Sequence, residues 1–95
     1  MEWVWVFHGE GASFSSAVFS SKESAEEWIL RHEVSGVLTK MPVNVGIYDW
    51  VVASGYFSPK YPSQKSPEFI QRFSSAYLEH FHYVSGVSGG AVENV

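Results

Sequence analysis

His80 and His82 are separated by one residue, a spacing that puts two imidazoles on the same face of an extended chain. Two such rings can ligate one metal ion, but a working site also needs a third ligand, often a carboxylate, and acceptors that fix the ring tautomers. His8, Asp49 and Glu79 are the candidates for that third place. The competing reading is a wet strand face on which the two rings meet only solvent or a carboxylate. A His-x-His dipeptide does not choose between these readings. No metal is therefore assigned; if one binds, His80 and His82 hold it, and no cofactor is expected.

The other titratable residues are weighed in the same way. His8 precedes Gly9-Glu10-Gly11, so His8 and Glu10 can act as an acid/base pair beside glycine amides that receive an anion. The spacing is not that of a phosphate loop and no helix opens directly after it, which favours a tight turn whose glycines take positive φ. Asp49, between Tyr48 and Trp50, is either a general base in an aromatic pocket or a hydrogen-bond acceptor that ties its helix to the sheet. His32 falls near the end of a helix, where the dipole favours a cation. Serines are abundant, but no Gly-x-Ser-x-Gly elbow occurs, and they gather where turns and caps need them. The polar site is thus His8, Glu10, Asp49, His80 and His82, with no catalytic residue assigned.

A different chemistry is offered by the rings. Four Trp, five Tyr and seven Phe are many for 95 residues. Trp50, Tyr56, Phe57, Lys60 and Tyr61 fall on or beside a proline-bearing stretch, where large contact area comes with little ordering cost, as at interface centres. The alternative is that Tyr56 and Phe57 cover the end of the core and Tyr61 alone is exposed.

The elements that must position these residues follow from periodicity. Residues 2–8 alternate Trp3, Trp5 and Phe7 against Val4, Val6 and His8, which predicts an internal strand covered at least partly on both faces. A turn at 8–13 and a second strand at 14–20 make a hairpin. Ser20 and Glu23 in capping-box spacing, then Ala25, Trp28, Ile29 and His32, predict a helix over 21–33, with acids at its start, Arg31 near its end and Glu27 four residues before Arg31. A third strand runs over 36–41 and stops at Pro42. Residues 44–54 are ambiguous between strand and helix; Asn44 as a cap and Gly55 as a stop favour a helix. Ser66 and Pro67 open a short helix carrying Phe69, Ile70 and Phe73, and residues 76–84 form the last strand. The expected fold is α+β, in the order β-β-α-β-α-α-β, with a mainly antiparallel sheet of about four strands against two or three helices. A single domain occupies 1–86, and the Gly- and Ser-rich residues 87–95 are a frayed tail.

Composition narrows the function classes. Without cysteine there is no disulfide framework, thiolate nucleophile or zinc finger. The net charge is −4 and the six Lys and Arg are scattered, so nucleic acid is not expected as a partner. The longest apolar run, Trp3 to Phe7, is far short of the roughly 20 residues of a membrane span, and no membrane association is expected. The N-terminus has no basic region or cleavage segment, which places the chain in the cytoplasm.

WVFHGE at 5–10, SGVLTKMPV at 35–43, YDW at 48–50, GYFSP at 55–59, SPEFIQRF at 66–73 and EHFHY at 79–83 together resemble a family of short, mainly bacterial single-domain proteins of unknown function. The likeness spans residues 3–84 and implies a free-standing bacterial cytoplasmic domain. It carries over no activity, cofactor or catalytic residue. That pattern has an aromatic before Pro42 and an acidic turn after Tyr83, where this chain has Met41 and Val84-Ser85.

Small size, mild acidity, excess aromatics and an incomplete catalytic set lead to a non-enzymatic interaction module, accessory or immunity-type, whose partner is another protein. The alternative is a metal-assisted hydrolase using His80 and His82 with His8, Asp49 or Glu79. A homodimer joined through strand edges or aromatic surface is compatible with either.

Overall fold

The N-terminal alternation is realised as β1 (Trp3–Gly9) in the computed structural model, which describes residues 1–88. It belongs to a five-stranded antiparallel sheet with β2 (Ala17–Phe19), β3 (Gly36–Pro42), β4 (His80–Val84) and β5 (Val87–Ser88), in the order β2-β1-β3-β4-β5. The two long strands, β1 and β3, pair along their whole length from Trp3↔Pro42 to Gly9↔Gly36. Gly36 is required at that end: a Cβ there would lie 2.3 Å from the His8 carbonyl oxygen and 2.8 Å from Gly9 Cα.

Between β2 and β3 runs α1 (Lys22–His32). Its cap is Ser21, one residue beyond the expected Ser20, and the Ser21 hydroxyl accepts from the Ser24 amide at 3.1 Å. Its ion pair is Lys22–Glu26 at 3.9 Å rather than the anticipated Glu27 with Arg31. Glu33 closes the helix in the left-handed region at φ 52, its amide donating to Ile29 and Leu30. Ala25 and Ile29, both 0 % exposed, lie against Trp5, Phe7, Leu38 and Tyr83 to form the main core. Trp28 extends that core, its ring meeting Phe7, Phe19 and His32.

Register places Val4, Val6 and His8 on the opposite face of the sheet with Val37, Thr39, Met41, His80 and His82. Val4, Val6, Val37, Thr39 and Met41 are half-buried there, while Val18 and Val84 stay largely exposed. This second face is the more open of the two.

Residues 43–79 leave β3 and return to β4. Residues 47–53, ambiguous from sequence, form α2 (Ile47–Ala53), capped by Gly46. Asn44 is not the cap; it takes φ 66 in the turn before the helix, a conformation Asn tolerates better than most residues. A 3₁₀ turn (Pro62–Lys65) and α3 (Pro67–Ile70) follow, α3 capped by Ser66 as the sequence implies. The last long strand is shorter than expected. Ser75 draws residues 76–79 into a turn, its side chain accepting from the Tyr77 amide at 3.1 Å and its carbonyl from the Leu78 amide at 3.4 Å, so β4 begins at His80.

The fifth strand comes from residues read as tail. Ser85 and Gly86 both have positive φ, at 50 and 86, the geometry of a two-residue hairpin turn, and this returns Val87 and Ser88 to pair with β4. The Gly86 amide donates to the Val34 carbonyl at 2.8 Å, fastening the hairpin to the end of α1. The sheet pairing therefore reaches residue 88, and the rest of the expected tail lies outside the described residues.

Candidate functional site

His80 stands opposite Thr39 and His82 opposite Val37, so both rings project from the open face. His80 Nδ1 lies 2.8 Å from the Leu78 carbonyl oxygen. A carbonyl only accepts, so Nδ1 carries a proton and donates. The two rings are 5.4 Å apart between centroids and nearly perpendicular, at 78°.

His8 reaches the same face from β1, and it too pairs with Val37. His8, Val37 and His82 thus form one row across three strands, with the two histidine Cα atoms two strand spacings, roughly 10 Å, apart. The His8 ring turns back on its own loop: Nε2 donates to the Ala12 carbonyl at 2.7 Å. The loop is held by Ala12 N–H to Gly9 at 3.0 Å and Glu10 N–H to Ser35 at 2.9 Å. His8, Glu10 and His82 line one hollow of about 570 Å³ at this end of the sheet, with Gly11, Val37 and Val84 among its walls. His80 lines a second hollow of about 400 Å³ with Thr39, Met41, Ser74 and Ser75.

The remaining carboxylates stand elsewhere. Asp49 is exposed in the first turn of α2, and it lines neither hollow. Glu79 is exposed in the turn ahead of β4, its carbonyl accepting from Lys40 N–H at 2.9 Å. Among the described residues no three of His, Cys, Asp and Glu converge in a set able to hold a metal ion.

Among the described residues, the one strongly perturbed group lies on the core face. Tyr83 donates to Glu26 Oε2 at 2.7 Å, and burial, reinforced by that carboxylate, pushes its phenol well above its usual value. Its part is to join β4 to α1. Lys22, which pairs with Glu26, also sits 3.6 Å from the Phe81 ring centroid.

The expected contact residues separate into two sets. Trp3 and Trp50 meet edge-on at 5.6 Å, Trp50 meets Tyr56 at 5.7 Å, and Tyr56 stacks on Tyr77 at 4.3 Å with only 4° between the planes. Tyr56 and Tyr77 are nevertheless 49 % and 64 % exposed. Phe57 turns inward to Tyr48, Phe69 and Phe73. Gln64 organises this side, its Oε1 accepting from the Lys60 and Tyr61 amides at 2.7 and 3.2 Å and its carbonyl from the Tyr48 hydroxyl at 2.9 Å. Lys60 is exposed, and the Tyr61 ring is 63 % exposed. Tyr77 is the member that strand alternation misses, because that alternation assigns it to packing; the Ser74-Ser75 pair ahead of it is the signal that the strand starts later.

A domain family described as a domain of unknown function, DUF7710, matches residues 4–89. This chain belongs to that family. No curated protein and no solved structure matches it. The DUF7710 match takes in the histidine face and the aromatic strip alike, so both belong to the family's domain. No helix among the described residues of this DUF7710 domain is long and apolar enough to cross a membrane.

Proposed function

We propose that the domain is a non-enzymatic protein-interaction module, accessory or immunity-type, acting in a bacterial cytoplasm. Its contact surface is the strip formed by Trp50, Tyr56 and Tyr77, with Tyr61 beside it. The Tyr56–Tyr77 stack carries this reading: two phenol rings held parallel at 4.3 Å while about half or more of each stays open to solvent. Rings ordered before contact lose little freedom on binding, and Tyr and Trp are the side chains that dominate interface centres. The net charge of −4 suits a partner whose apolar centre has a basic rim.

The test is affinity capture from the native cell with wild type, a Tyr56→Ala/Tyr77→Ala variant and Tyr61→Ala, each first checked for an unchanged near-ultraviolet circular dichroism spectrum. One protein held by wild type and reduced at least about tenfold by the double variant is expected, since losing two hot-spot rings exceeds about 1.4 kcal/mol. Equal recovery by all three would remove the strip from the reading.

A further inference from the structure

We propose that two copies of this chain pair through the open faces of their sheets, stacking sheet on sheet into a symmetric homodimer. This goes beyond the interaction reading and stands independently of it, since it uses none of the aromatic strip.

The first support is the chemistry of the face. Along the five strands its side chains are Val, Thr, Met and His alone. No Trp, Tyr or Phe stands on it, and no Asp, Glu, Lys or Arg. Val18, Val84 and Val87 on this face are 64, 63 and 62 % exposed. Glu2 and Glu10 keep to the rim, one ahead of β1 and the other in the turn beyond it. Two copies of a chain with net charge −4 repel at a distance, and a face free of carboxylates lets them close. A foreign partner of either sign finds no Lys, Arg or carboxylate there to recognise, whereas a second copy brings an equally uncharged surface of short side chains. Such sheets stack about 10 Å apart.

The second is shape. His80 and His82 project side by side, their ring centroids 5.4 Å apart. On one side of them is the hollow of about 570 Å³ walled by Val37 and Val84, and on the other the hollow of about 400 Å³ walled by Thr39 and Met41. A face that carries both a ridge and hollows can fit itself: each copy's ridge enters a hollow of the other, the reciprocal contact that a twofold interface requires. The imidazoles and the Thr39 hydroxyl both donate and accept, so they can satisfy one another across the contact.

The third is area. At about 4.8 Å between strands and about 3.3 Å per residue, the five strands outline roughly 380 Å² in each copy. Two copies thus bring together roughly 760 Å² of flat outline, and the relief of the side chains carries the accessible area to about the 1,000 Å² at which specific interfaces begin. An interface of that size is a reversible one, with a dissociation constant of roughly 1–100 µM.

Sedimentation velocity of the untagged full chain across that concentration range tests this. A rise from one chain mass to two is expected. His80→Glu and Val84→Glu, which set carboxylates against one another in the contact, should each weaken association at least about tenfold. Both positions are exposed in the single chain, so these variants should melt with the wild type at low concentration, which separates lost pairing from lost fold. The Tyr56→Ala/Tyr77→Ala variant should pair as wild type does, so failure of the aromatic strip as a docking surface would leave the dimer standing. Diethyl pyrocarbonate should modify His80 and His82 more slowly in concentrated than in dilute protein, while the exposed His32 at the end of α1 reacts equally in both. A single chain mass at every concentration, or a dimer that neither added carboxylate weakens, would overturn the proposal.

Discussion

The sheet with α1, and the segment from α2 to Leu78, are both rich in aromatic rings but are held together differently. In the sheet region Phe7, Ile29 and Leu38 are wholly enclosed, and the backbone groups of β1 and β3 satisfy one another along a continuous ladder. In the α2 segment Tyr48, Phe57, Phe69 and Phe73 touch ring to ring but stay half-buried. The backbone there runs in short turns tied by single side chains, Gln64 and Ser66 above all. Ladder bonds back one another up, whereas a local cap stands alone. The first region is thus suited to carry stability and the second to present a surface.

Substitutions can break that contrast. Leu38→Ala, at the centre of the ladder and of the core, should lower unfolding free energy by about 2–5 kcal/mol in denaturant titration. A loss below about 1 kcal/mol would mean that the sheet core is not the main unit. Gly36→Ala should cost about 1–3 kcal/mol, because the added methyl meets backbone atoms of β1 that cannot swing aside.

Tyr83→Phe removes the bond to Glu26 and should cost about 1 kcal/mol near neutral pH. It also has a pH signature. The buried phenol keeps its proton to higher pH than an unfolded tyrosine, whose ordinary value is about 10. Folded protein then binds more protons than unfolded protein in the alkaline range, so this contribution is complete below about pH 10 and is lost as pH rises from there towards the folded value. Wild type should lose stability over that range faster than Tyr83→Phe.

Tyr48→Phe, which frees the Gln64 carbonyl, should have the smallest global effect, about 0.5–1 kcal/mol. Its hydrogen-exchange effect should be local. Amides of residues 64–73 should lose protection while those of β1 and β3 keep theirs. A uniform loss across both regions would show that the two are one cooperative unit.

The same contrast explains what was legible in the sequence. β1, α1 and β3 follow from alternation, from the Ala25–Ile29 spacing and from the stop at Pro42, because regular burial leaves a regular pattern. The start of β4 did not follow, since Tyr77 and Leu78 look like strand residues and the local bonds of Ser75 decide against it. β5 was hidden by composition. Ser85-Gly86 between Val84 and Val87 is a two-residue hairpin signal, but it sits in a Gly- and Ser-rich run that reads as tail. At the site, His80 and His82 share a face by spacing alone. That His8 joins the same row across Val37 depends on strand order, which periodicity does not encode, and the separate position of Asp49 depends on where α2 sits against the sheet.

β3 and β4 are antiparallel neighbours, so a hairpin loop of about two to five residues would be enough to connect them. The chain instead spends residues 43–79 on that connection. Loop closure grows slowly with length, at about 0.6 kcal/mol per doubling. Topologically, the aromatic segment is therefore an inserted passenger on a two-strand junction. Lengthening it, trimming it or exchanging its rings would leave the pairing of β3 with β4 in register, so descendants of this scaffold could change the surface they expose without rebuilding the sheet beneath it.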